Sequence, residues 1–129
     1  MTVVLDTHAF VWWVAAPKRL GRRARSRITA ATRVGVSAVS CLEVATAVAR
    51  GRITLDRATL DWLQAALSVE RVDLIPLTPQ IAVAAAQLGR DFPGDPADRV
   101  IAATAILESA VLVTKDRNLH GRAGLPAEW

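Results

Sequence analysis

Four carboxylates stand where a chain could put them to chemical use, each at the end of an apolar run or at the start of a helical pattern. Asp6 follows Val3-Val4-Leu5, and Asp116 follows Val111-Leu112-Val113-Thr114-Lys115. Glu43 lies three residues after Ser40, and Asp98 three after Asp95 in Asp95-Pro96-Ala97-Asp98. Brought together, four carboxylates would repel unless a hard divalent cation neutralised them. Mg²⁺ or Mn²⁺ prefers such oxygen ligands, and the clustered imidazoles and thiolates that softer metals take are missing. Each acid also has an ordinary explanation. Asp6 can cap the next helix, Ser40 and Glu43 have capping-box spacing, Asp98 suits the positive end of a helix, and Asp116 suits a turn.

The elements that must position them alternate. Val3 to Leu5 is β-prone and apolar throughout, as expected of a strand covered on both faces of a parallel sheet. A short helix is expected from His8 to Ala15, capped by Asp6 or Thr7, and a basic helix from Leu20 to Ala31. Val34 to Ser37 reads as a strand, and the stretch from Ser40 to Gly51 as a helix with Leu42, Ala45, Thr46 and Ala49 on one side. A helix over Asp56 to Leu67, a strand over Val72 to Leu77 and an Ala-rich helix from Pro79 to Leu88 follow, then a loop from Arg90 to Gly94. Asp95-Pro96 is a strong helix start, an acid at the cap with proline at the first helical position, which assigns Asp95 a capping role rather than a ligand role. Val111 to Thr114 is the clearest buried strand, and the tail from Arg117 to Trp129 reads as loop. Such alternation implies an α/β fold with a central, mostly parallel sheet flanked by helices, in one domain over residues 1–129. In open sheets of this kind functional groups gather beyond the carboxyl ends of the strands, where Asp6 and Asp116 fall.

Composition narrows the setting. The single cysteine, Cys41, cannot form an internal disulfide, so a reducing compartment is expected, with the cytoplasm as the location. No apolar run approaches the length of a membrane span, and no signal-peptide pattern opens the chain. The formal charge is +4, and Lys18, Arg19, Arg22, Arg23, Arg25 and Arg27 crowd together while Asp and Glu are absent from Thr7 to Leu42. Two readings of that run compete on equal terms: a solvated helix face as its whole explanation, or contact with phosphates. Neither a GxGxxG nor a GxxxxGK motif is present, which argues against a nucleotide cofactor.

Leu5-Asp6-Thr7-His8, Glu43 on an early helix, the segment from Asp95 to Ala105 and Leu112-Val113-Thr114-Lys115-Asp116 resemble, in order, the motifs of PIN-domain ribonucleases, especially the VapC toxins of toxin-antitoxin pairs. The resemblance runs over nearly the whole chain and is most specific in Asp98-Arg99-Val100-Ile101-Ala102-Ala103-Thr104-Ala105. It implies the PIN-like α/β fold and a Mg²⁺- or Mn²⁺-dependent ribonuclease acting as the toxin of a type II pair. It also implies a homodimer held in check by a cognate antitoxin protein whose segment crosses apolar surface near Trp12 or Trp13. Asp6, Glu43, Asp98 and Asp116 match the family's acidic catalytic and metal positions, and Thr7 and Thr114 match polar positions that support the site. Arg22, Arg23, Arg25, Arg99 and Lys115 are candidates for contact with RNA phosphates. His8 and His120 match no metal position, and nothing is carried over beyond Leu119.

Two other classes compete. A phosphoacceptor receiver-like signalling domain also carries acids at strand ends and a nearby lysine. Asp6, however, is followed by Thr7 and His8 rather than a second acid, and no central strand-ending aspartate appears as acceptor. A non-catalytic nucleic-acid-binding module would use the basic run alone and leave the four acids without a role.

Overall fold

The computed structural model describes residues 1–129, and its centre is a five-stranded sheet in the order β3-β2-β1-β4-β5, with every pairing parallel. The strands are β1 (Thr2–Leu5), β2 (Arg33–Ser37), β3 (Val72–Ile75), β4 (Val111–Val113) and β5 (Ala127–Glu128). The helices are α1 (Thr7–Ala15), α2 (Arg22–Ala30), α3 (Ala38–Ala49), α4 (Thr59–Leu67), α5 (Pro79–Ala86) and α6 (Pro96–Leu107). Two 3-10 turns, Pro17–Arg19 and Arg117–Leu119, complete the chain. No helix is long and apolar enough to cross a membrane.

Side chains alternate across a strand, so a strand buried on both faces must be apolar at every position. β1 shows this directly. Val3 and Leu5 enter a core with Phe10, Ala24, Ile28 and Trp62, on the side covered by α1, α2 and α4. Val4 enters the opposite core with Ile81, Ala85, Ile101 and Leu112, beneath α5 and α6. Val3, Val4 and Leu5 have no exposed surface.

The chain builds the sheet outward from β1 through β2 to β3, then crosses over with α5 and α6 to lay β4 on the other side of β1. Strand order therefore reverses between β1 and β4, and a crevice opens at the carboxyl ends of these two strands. This order differs from the 2-1-3-4-5 order of receiver-type sheets, which removes the signalling reading on topology.

Two local readings are corrected, and four element ends shift. The tail is not all loop: Ala127 and Glu128 pair with Leu112 and Val113 as an edge strand. The N–H of Thr114 donates to the carbonyl of Glu128 at 3.0 Å. Two residues carry no alternation to read, and the strand forms because β4 offers an open backbone edge. The capping box at Ser40 is also absent. α3 starts at Ala38 with Ser37 as its cap, its hydroxyl accepting from the N–H of Val39 at 3.2 Å, which leaves Glu43 well inside the helix. The other differences are at ends: α2 starts at Arg22 after Gly21, α4 starts at Thr59, β3 stops at Ile75 and α5 at Ala86.

Candidate active site

A helix that follows a parallel strand begins at the strand's carboxyl end, and one that precedes a strand begins there too, because both run antiparallel to the sheet. The amino ends of α1, α3 and α6 accordingly face the crevice between β1 and β4. The crevice is a cleft of about 1000 Å³, and Asp6, Glu43, Asp98 and Asp116 all line it, together with Thr7 and Lys115. The four acids, delivered by four separate parts of the chain, are thus brought to one place.

Asp6 is 8% exposed and has two structural partners. One carboxylate oxygen accepts from the N–H of Ala9 at 2.9 Å, so the residue caps α1 as its position implies. The other accepts from the hydroxyl of Thr114. That same hydroxyl oxygen accepts from the N–H of Asp116 at 3.0 Å, so one threonine ties the end of β1 to the turn after β4. Each carboxylate oxygen keeps a lone pair free, so capping does not exclude coordination. Burial raises the pKa of Asp6 against the lowering effect of its bonds to Thr114 and Ala9.

Thr7 has the equivalent role on the other wall. Its hydroxyl donates to the carboxylate of Glu43 and lies 3.0 Å from the hydroxyl of Ser40. A hydroxyl has one proton, so with Glu43 as acceptor the buried Ser40 donates to Thr7. Glu43 is held from α1 rather than capping its own helix.

Asp98 sits in the first turn of α6, and its pKa is raised to about 6. Burial is the main cause, followed by repulsion from Asp95, Glu43, Asp116 and Asp6. Asp95 caps α6, its carboxylate accepting from the N–H of Ala97 at 2.9 Å, yet it also lines the cleft and adds to the negative field there. Asp116 caps the second 3-10 turn, accepting from the N–H of Asn118 at 2.9 Å. His120, expected to be ordinary, directs Nε2 at the carbonyl of Thr114 at 2.8 Å. A carbonyl only accepts, so Nε2 carries the proton and the ring braces the strand end.

Apart from the His8 imidazole, the donors that line the cleft beside the acids are oxygens, with no cysteine, a set weighted towards a hard cation rather than zinc. No three acidic, histidine or cysteine side chains converge closely enough to enclose an ion as they stand. Mg²⁺ keeps several waters and takes one or two carboxylates directly, so this spread of acids around a cleft is compatible with it.

The basic residues divide differently from the sequence expectation. Lys115 lines the cleft. Arg99 does not, and its guanidinium donates to the carbonyls of Ala85, Ala86, Gly89, Phe92 and Pro93, which closes the end of α5 and the loop after it. That role corrects its assignment to RNA contact. Arg22, Arg23 and Arg25 lie on α2 and do not line the cleft; Arg23 pairs with Glu128 at 3.7 Å and Arg25 donates to the carbonyl of Leu20 at 3.3 Å. The cleft instead has Arg50 and Arg52, just beyond α3, on its wall. Isolated arginines beside Gly51 carry no local pattern, and they are revealed only because the cleft runs along one face of α3, past Leu42, Glu43, Thr46 and Ala47, to its carboxyl end.

The PIN domain model matches residues 3–125. The chain belongs to the PIN-domain family. Its VapC branch is shown by a 45% identity over 119 residues to Ribonuclease VapC22 of Mycobacterium tuberculosis, covering 92% of this chain and 90% of that protein. The PIN fold is repeated in solved toxin-antitoxin complexes. VapBC2 from Rickettsia felis, bound to a DNA fragment from their promoter, superposes with a TM-score of 0.73 at 19% identity, over 99% of this chain and 98% of that one. VapBC-5 from Mycobacterium tuberculosis gives 0.65 at 24% identity, over 98% and 96%. The four acids singled out in the sequence all line the cleft, and Asp95 lines it with them.

Proposed function

We propose that this protein is a Mg²⁺- or Mn²⁺-dependent ribonuclease, the toxin of a type II pair, inhibited by a cognate antitoxin protein. The observation that carries the reading is the common cleft of Asp6, Glu43, Asp98 and Asp116; burial, and then repulsion from Asp95 and the other three acids, raises the pKa of Asp98 there. Asp6 and Asp98 are the principal metal ligands in this reading, and Glu43 and Asp116 complete the shell or orient water. When bound, a divalent cation supplies a water of lowered pKa and neutralises charge on the phosphate. The protein's own residues supply orientation. Thr114 fixes Asp6 relative to Asp116, and Thr7 fixes Glu43 against α1. Lys115, Arg50 and Arg52 provide positive charge along the same cleft as the acids, which attracts a phosphate backbone without reading its sequence.

The name of the 45%-identical relative supports RNA as the substrate, and the neighbouring toxin-antitoxin complexes support an antitoxin partner. The same reading makes the protein a cytoplasmic homodimer, with Cys41 a free thiol. The test is cleavage of RNA by purified protein with Mg²⁺ or Mn²⁺ and in excess chelator. Activity is expected with either metal and none in chelator; equal activity in both rejects the metal mechanism. An acidic cleft without catalysis is the prediction of a plain binding module, and the same assay separates the two.

A further inference from the structure

The indole of Trp12 lines the cleft beside the acids and draws in two cations that have no other partner. The guanidinium carbon of Arg19 lies 4.3 Å from the ring centroid, and Nζ of Lys115 lies 5.5 Å from it. Arg19 reaches there from the 3-10 turn after α1, and Lys115 from the residue next to Asp116. Two arginines of α2 are engaged elsewhere: Arg27 pairs with Glu128 at 3.3 Å, and Arg23 shares that carboxylate at 3.7 Å. Arg19 and Lys115 form no ion pair and no side-chain hydrogen bond within the protein, and both are exposed.

The indole itself is braced. Trp129 meets it edge-on at 5.6 Å between centroids, and Trp129 is seated against Gly21, where an added Cβ would fall 2.6 Å from its backbone carbon. The short strand β5 delivers Trp129 and pairs with β4, whose continuation delivers Lys115. One strand pairing therefore places both the brace and one of the two cations.

Two cations gathered on one ring repel each other, and the ring's negative face offsets that only in part. A guanidinium lying over an aromatic ring keeps its N–H donors pointing outward in its own plane, which is the geometry that grips a phosphate with two parallel bonds. Trp12 stands six residues along α1 from the cap Asp6, about 9 Å at 1.5 Å per residue, and Lys115 adjoins Asp116. The cation pair is thus next to the acidic cluster but outside it.

We propose that Arg19 and Lys115, held by Trp12, form a phosphate subsite that binds the phosphodiester flanking the one presented to the acids. This rests on the proposed reading of the cleft as an RNA site. Of the six cations in the basic run, Arg19 is then the one that touches substrate, and the arginines of α2 contribute only a diffuse field.

The test is binding of a short single-stranded RNA in excess chelator, followed as affinity against salt concentration. Each phosphate contact on a single strand contributes about 0.7 to the slope of log K against log salt. The double substitution Arg19→Met/Lys115→Met should flatten the slope by roughly 1.4. Arg22→Met/Arg23→Met removes the same charge from α2 and should leave the slope at the wild-type value. Arg19→Lys keeps the charge and loses the flat stacked donor set, so the slope should survive while affinity falls. Equal slopes in the two double variants, or no change in either, overturns the subsite, as does failure of the wild type to bind. Wild-type binding with the expected slope change but no cleavage after Mg²⁺ or Mn²⁺ is added rejects the nuclease reading and leaves the subsite standing.

Discussion

The hydroxyl of Thr114 donates to the buried carboxylate of Asp6 across 108 positions of sequence, joining the ends of β1 and β4 at the point where strand order reverses. Replacing it with the near-isosteric valine removes that donor and the acceptor for the N–H of Asp116. A buried group left without its partner costs about 1–3 kcal/mol, so Thr114→Val should lower stability on that scale. Loss of an orienting partner behind a metal ligand typically costs roughly 10–100-fold in affinity or activity. Thermal melts and metal titration of the variant test both; wild-type metal affinity in Thr114→Val would count against Asp6 as a ligand.

Asp6→Asn and Asp98→Asn should each abolish cleavage, whereas Asp56→Asn and Asp61→Asn, outside the cleft, should leave it intact. Asparagine also caps helices, so Asp6→Asn preserves the bond to Ala9 while deleting the charge. Retained activity in Asp6→Asn would make that residue a cap and nothing more.

The raised pKa of Asp98 sets a pH dependence whose sign follows from proton binding. The folded protein holds this proton more tightly than the unfolded chain, so stability present at low pH is lost as pH rises from about 4 towards about 6. Above that range the contribution is flat. Asp98→Asn should remove the decline, and saturating Mg²⁺ should reduce it by neutralising Asp95, Glu43, Asp116 and Asp6 around the site. Activity should run the other way, falling below about pH 6 as the carboxylate protonates and ceases to bind metal. Melts of wild type and Asp98→Asn from pH 4 to 8, with and without Mg²⁺, measure this; parallel curves for the two proteins would mean that folding does not raise the pKa of Asp98.

Arg50→Met/Arg52→Met should weaken RNA binding, with a slope change of roughly 1.4 if both contact phosphates. Filter binding across a salt series checks it, and an unchanged slope would assign the two arginines to solvent.

Growth arrest on expression of the protein alone, relieved by co-expression of the small protein encoded beside it, is expected of a toxin with a cognate antitoxin. Light scattering of the purified protein should give twice the chain mass. A neighbour that neither binds nor relieves arrest would break the pairing, and a monomer at micromolar concentration would remove the homodimer.

Short-range sequence determined the parts that depend on neighbouring residues. An uninterrupted apolar run such as Val3-Val4-Leu5 can only be buried on both faces, and Asp95-Pro96 can hardly do other than start a helix. Ordered motifs from Asp6 to Asp116 were enough to indicate the PIN family and its fold; Asp6 at a strand end and Asp98 in a first turn carry local signals, whereas Glu43, inside α3, was singled out by the resemblance. Tertiary structure decided which groups share space. Only the reversal of strand order between β1 and β4 brings the four acids into one cleft, and only the extension of that cleft along one face of α3 puts Arg50 and Arg52 on its wall. Arg99 looks like any basic residue beside an acid, yet the packing of α5 against α6 closes five carbonyls around it. The pairing of Ala127 and Glu128 with β4 likewise depends on an open edge supplied from elsewhere in the chain. Backbone edges, helix directions and charge fields are long-range properties, and no window of residues contains them.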